Sequence, residues 1–491
     1  MTTVKRATAV FPGLVILAFW TAPAPAGDWL RFHGPDGSGI SPDTQPLPVK
    51  WSETENLKWK RKLPGPGSSS PIVVGKRVLV TCWNGYGMDR DNPGDQKDLR
   101  RHLICLDRDT GDMLWDKSVE PVLPEDPYSG NFTEHGYASH TPVSDSERVY
   151  VFFGKTGVLA FDLDGRKLWQ TSVGTGSGSR GWGTASSPIV YKDLVIVPAC
   201  AESQSLVALD KETGKEVWRR EDAALSSTWG TPVLVNCGKE RTDLVLAVPY
   251  KVLAFSPDDG KPRWQCEGLS SNSICSSAVA RDGVVYVLET GPQGGGTMAV
   301  RAGGDGDVTK THVLWRGNQR SRIGTPVDDG GRIYWFGNRT ANCLDAATGK
   351  QVYQVRLAGA APEPPRQPRP SPGEAGSGQA GQAQPGLGQP GSGQTGPGRG
   401  PGRKPGGGFG RRGGMRGQDY SSPVLAGGNI YFLSRSGEAF VYATGPEFKL
   451  LAQNRFAPDG GDFSATPAVD DGELFIRSSK YLYCVAHGKR P

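Results

Sequence analysis

One short signature, Ser or Thr followed by Pro and then Val or Ile, recurs along the chain and restricts its fold more than any other feature. Five of the seven steps between copies are close to 46 residues, and the other two are 71 and 97 residues. A fixed period of this length predicts a repeat architecture in which each unit is one supersecondary element. The signature positions are Pro71, Pro142, Pro188, Pro232, Ala278 (replacing proline), Pro326, Pro423 and Pro467.

Each unit follows one order of short strands and turns. The proline begins a first strand, where its missing N–H does not interrupt a hydrogen-bonded ladder. A turn such as Asp282-Gly283 leads into an alternating apolar strand, and a third strand ends in Leu-Asp. Thr-Gly or Asp-Gly then turns the chain into a fourth strand that carries an aromatic residue. Each unit is therefore predicted to be a four-stranded antiparallel sheet.

A sheet of this kind cannot bury both faces alone, so the units must stack, and a closed ring leaves no end exposed. The predicted fold is all-β, an eight-bladed β-propeller of four-stranded antiparallel blades. The eighth unit has only three strands, and the N-terminal segment ENLKWKRKL is predicted to supply the fourth. The aromatics predicted to dock between blades are Trp59, Trp115, Trp169, Trp218, Trp264, Trp315 and Tyr353, with Leu450 and Leu451 in the seventh unit.

The N-terminus has the pattern of a secretory signal peptide. Lys5 and Arg6 precede an apolar run over residues 7–20, and residues 24–26 form an A-x-A cleavage site. An uncleaved membrane anchor is the alternative. No second apolar stretch reaches the roughly 18 residues of a membrane helix. We expect a periplasmic or extracellular chain with no integral membrane segment after cleavage.

The predicted organisation has four parts, one of which carries the charge excess. They are a signal peptide (1–26), blades 1–6 with the closing strand (27–357), a disordered insert (358–418) and blades 7–8 (419–491). The insert is rich in Gly, Pro and Arg and cannot bury a core. Without it the chain has 48 basic and 48 acidic residues, so the net charge of +6 belongs to the insert. A solvated spacer is the favoured interpretation, weak binding to acidic polymers or surfaces is next, and export argues against nucleic acid as a partner.

Export makes the eight cysteines candidates for disulfides. Several occupy the same strand position in different units, which is too far apart for a bridge, so buried thiols are expected. No CxxCH haem motif and no zinc-ligand spacing is present. If any pair forms, the candidates are Cys266 with Cys275 and Cys200 with Cys237.

Residues just before each first strand are predicted to surround the mouth of the central channel, as loop residues on a rigid scaffold. Aromatic, basic and amide side chains converge there, and we interpret them as a ligand or peptide pocket. The alternative is that small residues only form turns and that Trp182 and Trp229 plug the channel. The predicted mouth residues are His135, Tyr137, His140, Arg180, Trp182, Trp229, Asn272 and Arg322, with Tyr420.

Two of these histidines lie near acidic residues. His135 and His140 are close in sequence to Glu134 and Asp126, a combination that can bind a metal or exchange protons. A five-residue spacing in a loop fixes no coordination geometry. We therefore predict no metal site and no catalytic residue.

The units of the form Ala/Cys-Leu-Asp-x-x-Thr-Gly-x-x-x-Trp resemble the repeats of the pyrroloquinoline-quinone (PQQ) type of β-propeller. The resemblance covers nearly all of residues 28–491 except the insert, and DWLRFHGPDGSGISPD is similar to a segment that precedes such propellers in exported bacterial proteins. One branch, the quinoprotein dehydrogenases, implies a quinone and Ca²⁺ on the axis. The other is similar to the outer-membrane assembly lipoprotein, a non-catalytic propeller that engages other proteins.

Neither branch matches in every respect. The sequence lacks adjacent cysteines and an assignable Glu, Asn and Asp metal set, and it also lacks a lipidation cysteine. We expect a non-enzymatic, exported, monomeric scaffold that binds a protein or another envelope macromolecule and needs no cofactor. The alternative is a PQQ-dependent oxidoreductase of the quinoprotein alcohol dehydrogenase type, with PQQ and Ca²⁺. A polysaccharide-binding or lyase-type propeller is third.

Overall fold

The computed structural model describes five stretches of the chain and confirms the predicted propeller. Eight sheets follow one another around a central axis, and each contains four antiparallel strands, which follow sequence order in every sheet but the last. The predicted signal peptide and all but the last residue of the predicted insert lie outside the described residues. Those residues are 28–289, 296–337, 339–357, 418–458 and 460–488.

The first four blades use strands β2 to β17. In each blade the first strand is innermost and the fourth is outermost. Blade 1 contains β2 (Ile72–Val74), β3 (Arg77–Asn84), β4 (Arg100–Asp107) and β5 (Met113–Val119). Blade 2 contains β6 (Val143–Ser144), β7 (Arg148–Phe152), β8 (Val158–Asp162) and β9 (Lys167–Thr171). Blade 3 contains β10 (Ile189–Tyr191), β11 (Leu194–Ala199), β12 (Ser205–Asp210) and β13 (Glu216–Glu221), and blade 4 contains β14 (Val233–Asn236), β15 (Thr242–Val248), β16 (Lys251–Phe255) and β17 (Pro262–Glu267).

The remaining blades complete the ring. Blade 5 contains β18 (Val279–Arg281), β19 (Val284–Leu288), β20 (Thr297–Arg301) and β22 (Val313–Gly317), whereas β21 (Gly306–Asp307) pairs with β17 of blade 4. Blade 6 contains β23 (Val327–Asp328), β24 (Arg332–Gly337), β25 (Thr340–Asp345) and β26 (Gln351–Arg356). Blade 7 contains β27 (Val424–Ala426), β28 (Asn429–Leu433), β29 (Glu438–Ala443) and β30 (Lys449–Arg455), and blade 8 contains β31 (Ala468–Asp470), β32 (Glu473–Arg477), β33 (Tyr481–Ala486) and β1 (Leu57–Lys62).

Helical structure in the described stretches is limited to four short 3₁₀ turns. None of these has the length and apolar character needed to cross a membrane. Apolar side chains of facing sheets form the core between neighbouring blades, as where Tyr150 of blade 2 packs in one cluster with Val195 and Val207 of blade 3. The turns are Gln96–Asp98, Gly130–Glu134, Gly154–Thr156 and Ala223–Ser227.

The ring closes by pairing the first and last strands of the described chain. Strand β1 runs antiparallel to β33, with Trp59 opposite Cys484. The indole N–H of Trp59 then donates to the carbonyl of Arg108 in blade 1 at 2.8 Å. The N-terminal strand thus completes blade 8 and contacts blade 1, as predicted.

The closing aromatics share one contact across five blade boundaries. Each indole N–H donates to a backbone carbonyl in the turn between the third and fourth strands of the next blade, and the ring lies against a glycine of that turn. For example, Gly214 has φ +70°, and a Cβ added there would lie 2.5 Å from Cδ2 of Trp169. A side chain at this position would collide with the indole, so the turn of the repeat requires glycine there. The five residues are Trp59, Trp115, Trp169, Trp218 and Trp315.

Two predicted docking residues use other contacts. Trp264 is buried, but its indole N–H donates to Oδ2 of Asp243 in its own blade at 2.7 Å. The link between the third and fourth strands of blade 5 (302–312) contains no Thr-Gly sequence to receive it, and β21 instead runs along the outer edge of blade 4. Tyr353 meets Phe448 edge-on, with ring centroids 5.8 Å apart.

The seventh blade corrects one expectation. In all eight blades the fourth strand has a bulge beside the docking position. The register of blade 7 places Ala452, and neither Leu450 nor Leu451, at this position. Alanine is too small to fill the space that an indole occupies at the other blade boundaries. Trp51 packs in the same core cluster as Ala452 and stacks on Tyr431.

Candidate functional site

A cavity of about 1000 Å³ lies at the mouth of the central channel, where the loops before the eight inner strands meet. Every blade contributes to its lining the Ser or Thr that precedes the signature proline or alanine. We call these eight residues the hydroxyl ring. They are Ser70, Thr141, Ser187, Thr231, Ser277, Thr325, Ser422 and Thr466.

The hydroxyl ring is closed by its own hydrogen bonds. The backbone N–H of each member donates to the hydroxyl oxygen of the next, at distances of 2.9–3.1 Å, and Thr466 donates back to Ser70. This explains why the repeat has Ser or Thr before its proline. The sequence interpretation used this residue only as a marker and missed its role.

Each hydroxyl of the ring keeps a proton to donate. A Ser or Thr hydroxyl has one O–H donor besides its acceptor lone pairs. The acceptor side receives a neighbour's N–H, whereas no described residue accepts the hydroxyl proton. The eight residues are only 2–7% exposed, so these donors are available chiefly to whatever occupies the cavity.

The segment over residues 28–47 closes the channel on the side of the ring away from the mouth. The carbonyls of Trp29 and Leu30 accept the N–H groups of Val73 and Ser144, and the carbonyl of Gly39 accepts that of Leu425. These donors follow their ring residues by three positions, so the segment lies beyond the ring. Within it, the ring of Phe32 contributes to the cavity lining.

Two basic side chains of this segment are buried beneath the ring. Nη2 of Arg31 donates to the carbonyl of Pro232 at 3.3 Å, and its Nε has no hydrogen-bond partner among the described residues. Burial lowers the pKa of Arg31 to about 10. His33 lies with its two ring nitrogens 3.1 Å from the carbonyls of Gly37 and Pro423, and burial lowers its pKa.

The predicted mouth residues separate into two groups. Six of the eight, together with Tyr420, line the cavity. Tyr137 and His140 are instead 4% exposed and lie behind its wall, because Tyr137 packs against the rings of Trp83 and Phe132 and His140 packs against Phe152. The six lining residues are His135, Arg180, Trp182, Trp229, Asn272 and Arg322.

A pair of indoles forms one wall of the cavity. The ring centroids of Trp182 and Trp229 are 4.9 Å apart, and the planes are inclined by 32°. The guanidinium carbon of Arg180 lies 5.2 Å from the centroid of Trp182, while its Nη2 donates to the carbonyl of Asn272 at 2.7 Å. Both indoles keep exposed surface in the cavity. They therefore line the mouth, and the N-terminal segment, not the indole pair, blocks the channel.

The described lining is net basic. It contains three arginines and one carboxylate, Glu289, which accepts the N–H groups of Ser270 and Ser271 at 2.9 and 2.7 Å. Arg320 and Arg322 are exposed at the mouth and form no ion pair within the described stretches. Burial lowers the pKa of His135, the fourth basic residue of the lining, so it adds no charge at neutral pH.

The acidic residues near the two histidines have separate partners. Asp126 pairs with Lys155 at 2.8 Å, and Glu134 pairs with Arg435 at 2.9 Å. His135 lies 2.6 Å from the carbonyl of Trp182. No group of three His, Cys, Asp or Glu residues arranged to hold a metal occurs among the residues the structure describes.

A buried polar cluster lies behind the wall. Nε2 of His140 is 3.2 Å from the hydroxyl of Thr184, which also bonds to the carboxyl group of Glu202. Burial is the largest cause of both pKa shifts, lowering that of His140 to about 3 and raising that of Glu202 to about 8. Next to this cluster lies Arg101, whose Nη1 is 2.6 Å from Oε1 of Glu125.

The described part of the cavity lining does not offer the ligands expected for a quinone held with Ca²⁺. Calcium takes about six to eight oxygen ligands, usually including several carboxylates. In the described lining only Glu289 provides a carboxylate, and its two oxygens already bind backbone N–H groups. No disulfide joins any of the eight cysteines, all of which are described.

Comparisons of sequence find similarity to PQQ-type propellers over part of the chain. A family model described as outer membrane protein assembly factor BamB matches residues 97–224. Polyvinylalcohol dehydrogenase from Sphingopyxis sp. (strain 113P3) is 23% identical over 256 residues, a match that covers 44% of this chain. The matched part is 36% of that enzyme's length.

The chain shares its fold with solved structures of both an assembly factor and dehydrogenases. BamB from Moraxella catarrhalis superposes with a TM-score of 0.54 and 10% identity, covering 89% of this chain and 98% of that one. Quinohemoprotein alcohol dehydrogenase from Comamonas testosteroni gives 0.56 and 12% identity, with coverages of 95% and 82%. A europium-containing methanol dehydrogenase gives 0.57 and 10% identity, with coverages of 94% and 98%. The predicted resemblance to PQQ-type repeats is thereby confirmed, and at these identities the likeness concerns the fold.

Proposed function

From its architecture as a PQQ-type β-propeller, we propose that this chain is a non-catalytic, exported scaffold that binds a protein partner at the mouth of its central cavity. The observation that carries the proposal is the cavity itself. It is blocked by residues 28–47, it is lined by hydroxyl, amide and guanidinium groups, and its one described carboxylate is occupied by backbone donors. Such a lining is suited to holding a polar partner and lacks an evident acid–base pair.

Two further observations support the proposal. The family model that matches residues 97–224 is described as an outer membrane protein assembly factor, and proteins of that description work with other proteins. The signal-peptide pattern at the N-terminus is typical of export. We propose a monomer in the periplasm or outside the cell, without nucleic acid as a partner.

A PQQ-dependent oxidoreductase is the second candidate. It is favoured by the similarity to polyvinylalcohol dehydrogenase and by the indole pair Trp182 and Trp229, whose exposed faces are able to stack on a flat ring. The shortage of free carboxylates argues against Ca²⁺, and we derive no reaction step through the quinone.

Site-specific photocrosslinking distinguishes the two functions. A benzophenone amino acid at Asn318, exposed at the mouth, is expected to crosslink one defined protein in envelope extracts of the source organism. The same group at Arg301 is the matched control, because Arg301 is exposed at the opposite end of strand β20 from the mouth. In parallel, the full chain is incubated with PQQ and Ca²⁺ and assayed for dye reduction by alcohols. Stoichiometric quinone binding with turnover would overturn the scaffold proposal.

A further inference from the structure

We propose that the base of the cavity is an oxyanion site that receives a carboxylate from an acidic peptide segment of the partner. This inference rests on the proposed function and names the chemistry of the partner. The peptide enters from the mouth and ends at the hydroxyl ring, since residues 28–47 prevent it from passing through the channel.

The hydroxyl ring supplies the donors. Eight nearly buried O–H groups face one space, and each of their oxygens already uses one of its two lone pairs to accept a neighbouring N–H. The base of the cavity therefore presents eight O–H donors to a single occupant. A carboxylate is the complementary group, because it is an acceptor with about four lone-pair sites and no donor. Hydrogen bonds to an ionised acceptor are also roughly twice as strong as neutral ones.

A buried positive charge acts in the same direction from below, with exposed Asp36 as its nearby acidic residue. Arg31 is 6% exposed, its Nη2 donates to a backbone carbonyl, and its Nε has no hydrogen-bond partner in the described chain. It lies next to the ring, since its acceptor Pro232 follows Thr231 directly. A buried cation in low-dielectric surroundings favours an anion nearby.

The mouth continues this pattern. Arg180, Arg320 and Arg322 line the cavity with Glu289 as the one described acidic residue, and Glu289 already binds two N–H groups. A cleft of one sign of charge concentrates field lines and raises the association rate of an oppositely charged ligand. The arginines therefore guide the acidic segment toward the ring.

A peptide fits the upper cavity better than a mineral anion or a folded surface. The volume of about 1000 Å³ is at the upper limit of small-ligand pockets, so it admits a short segment but not a domain. Side-chain amides at Asn131, Asn272, Asn318 and Gln319 offer a donor and an acceptor each, as a peptide group does. The indole pair adds an apolar wall for side chains.

The first experiment measures peptide binding to the full chain by calorimetry and by tryptophan fluorescence. The probe is an acetylated and amidated six-residue peptide of alternating Glu and Gly, and the matched control has Gln in place of Glu. We expect the Gln peptide to bind at least about tenfold more weakly, and the Glu peptide to weaken several-fold between about 0.05 and 0.5 M salt. Equal binding of both peptides would overturn the inference.

Two pairs of variants locate the site. Arg322→Gln is expected to weaken binding about three- to tenfold, whereas Arg301→Gln, at the opposite end of its blade, should change it less than about twofold. Thr325→Val removes one donor of the ring and should weaken binding about fivefold, while Thr325→Ser keeps the hydroxyl and should restore it. Thermal unfolding verifies that each variant is folded. Equal loss with Arg322→Gln and Arg301→Gln, or failure of Thr325→Ser to restore binding, contradicts the placement.

Competitors identify the source of the carboxylate. Citrate or polygalacturonate that displaces the peptide at equal carboxylate concentration would assign the site to a small acid or an acidic polysaccharide, and would overturn the peptide assignment. Failure of the peptide to bind while the Asn318 crosslink to a protein persists would refute this inference alone. If no protein crosslinks at Asn318 and the chain turns over alcohols with PQQ, the proposed function is refuted as well.

Discussion

The contact between an indole and the turn of the next blade can be tested with a single methyl group. Gly214 has φ +70°, and its Cβ position lies 2.5 Å and 2.6 Å from Cδ2 and Cε3 of Trp169. In Gly214→Ala, the left-handed backbone costs about 1–2 kcal/mol for a residue with a side chain. Forcing the indole away adds about 1–3 kcal/mol of overpacking, and its N–H bond to the carbonyl of Lys211 is weakened. We expect a total loss of about 3–5 kcal/mol in the free energy of unfolding.

Gly427 provides the matched control for this variant. It has φ +56°, and no heavy atom lies within 4 Å of its Cβ position. Gly427→Ala should therefore cost only the backbone contribution of about 1–2 kcal/mol. Urea unfolding followed by tryptophan fluorescence and circular dichroism measures both variants. Equal losses would refute the role assigned to the indole contact, and a Trp169→Leu background should remove most of the excess loss at Gly214.

Three further predictions concern closure, the ring and the buried cluster. Deletion of residues 57–62 removes the outer strand of blade 8, so we expect loss of cooperative unfolding of the whole propeller in calorimetry, whereas a stable seven-bladed remainder would contradict closure. Thr231→Val leaves the buried N–H of Ser187 without its acceptor and should cost about 1–3 kcal/mol in urea unfolding, while Thr231→Ser should cost much less. The pKa of Glu202 is raised by burial to about 8, so the folded state holds its proton more tightly than the unfolded state, and the resulting stability is lost as the pH rises from about 4.5 to about 8. The free energy of unfolding of Glu202→Gln, relative to that of the native chain, should therefore rise by a few kcal/mol between pH 5 and pH 9. A difference between the two chains that does not change with pH would contradict this.

The fold was predictable because each unit contains, within its own sequence, the residues that determine its strands and turns. The turn residues, the alternating strands and the closing aromatic recur within about 46 residues, and closure follows from counting three strands in the last unit. The prediction was less accurate where a unit departs from the pattern. Trp264 precedes a blade without the Thr-Gly turn, and the bulge that places Ala452 at the docking position depends on strand register, which local sequence does not determine.

The site was predictable only in outline. Loops before the inner strands had to surround the axis, and six of the eight proposed residues line the cavity there. Tyr137 and His140 point elsewhere because an aromatic cluster with Trp83 and Phe132 holds that loop, a packing effect that spacing alone does not reveal. The N-terminal segment escaped prediction for a similar reason, since Trp29 and Gly39 bind strands far away in the sequence.

The hydroxyl ring belongs both to the fold and to the candidate site. A single unit shows only a Ser or Thr before a proline, and the role of that residue becomes visible when eight units are arranged around one axis. The ring closes because Thr466 returns the bond to Ser70, so the same atoms that join neighbouring blades form the base of the cavity. Removing a hydroxyl therefore changes both stability and the donor set. Exchanging Ser for Thr preserves the donor and the acceptor, and such exchanges are the substitutions that separate the structural role of the ring from its role in binding.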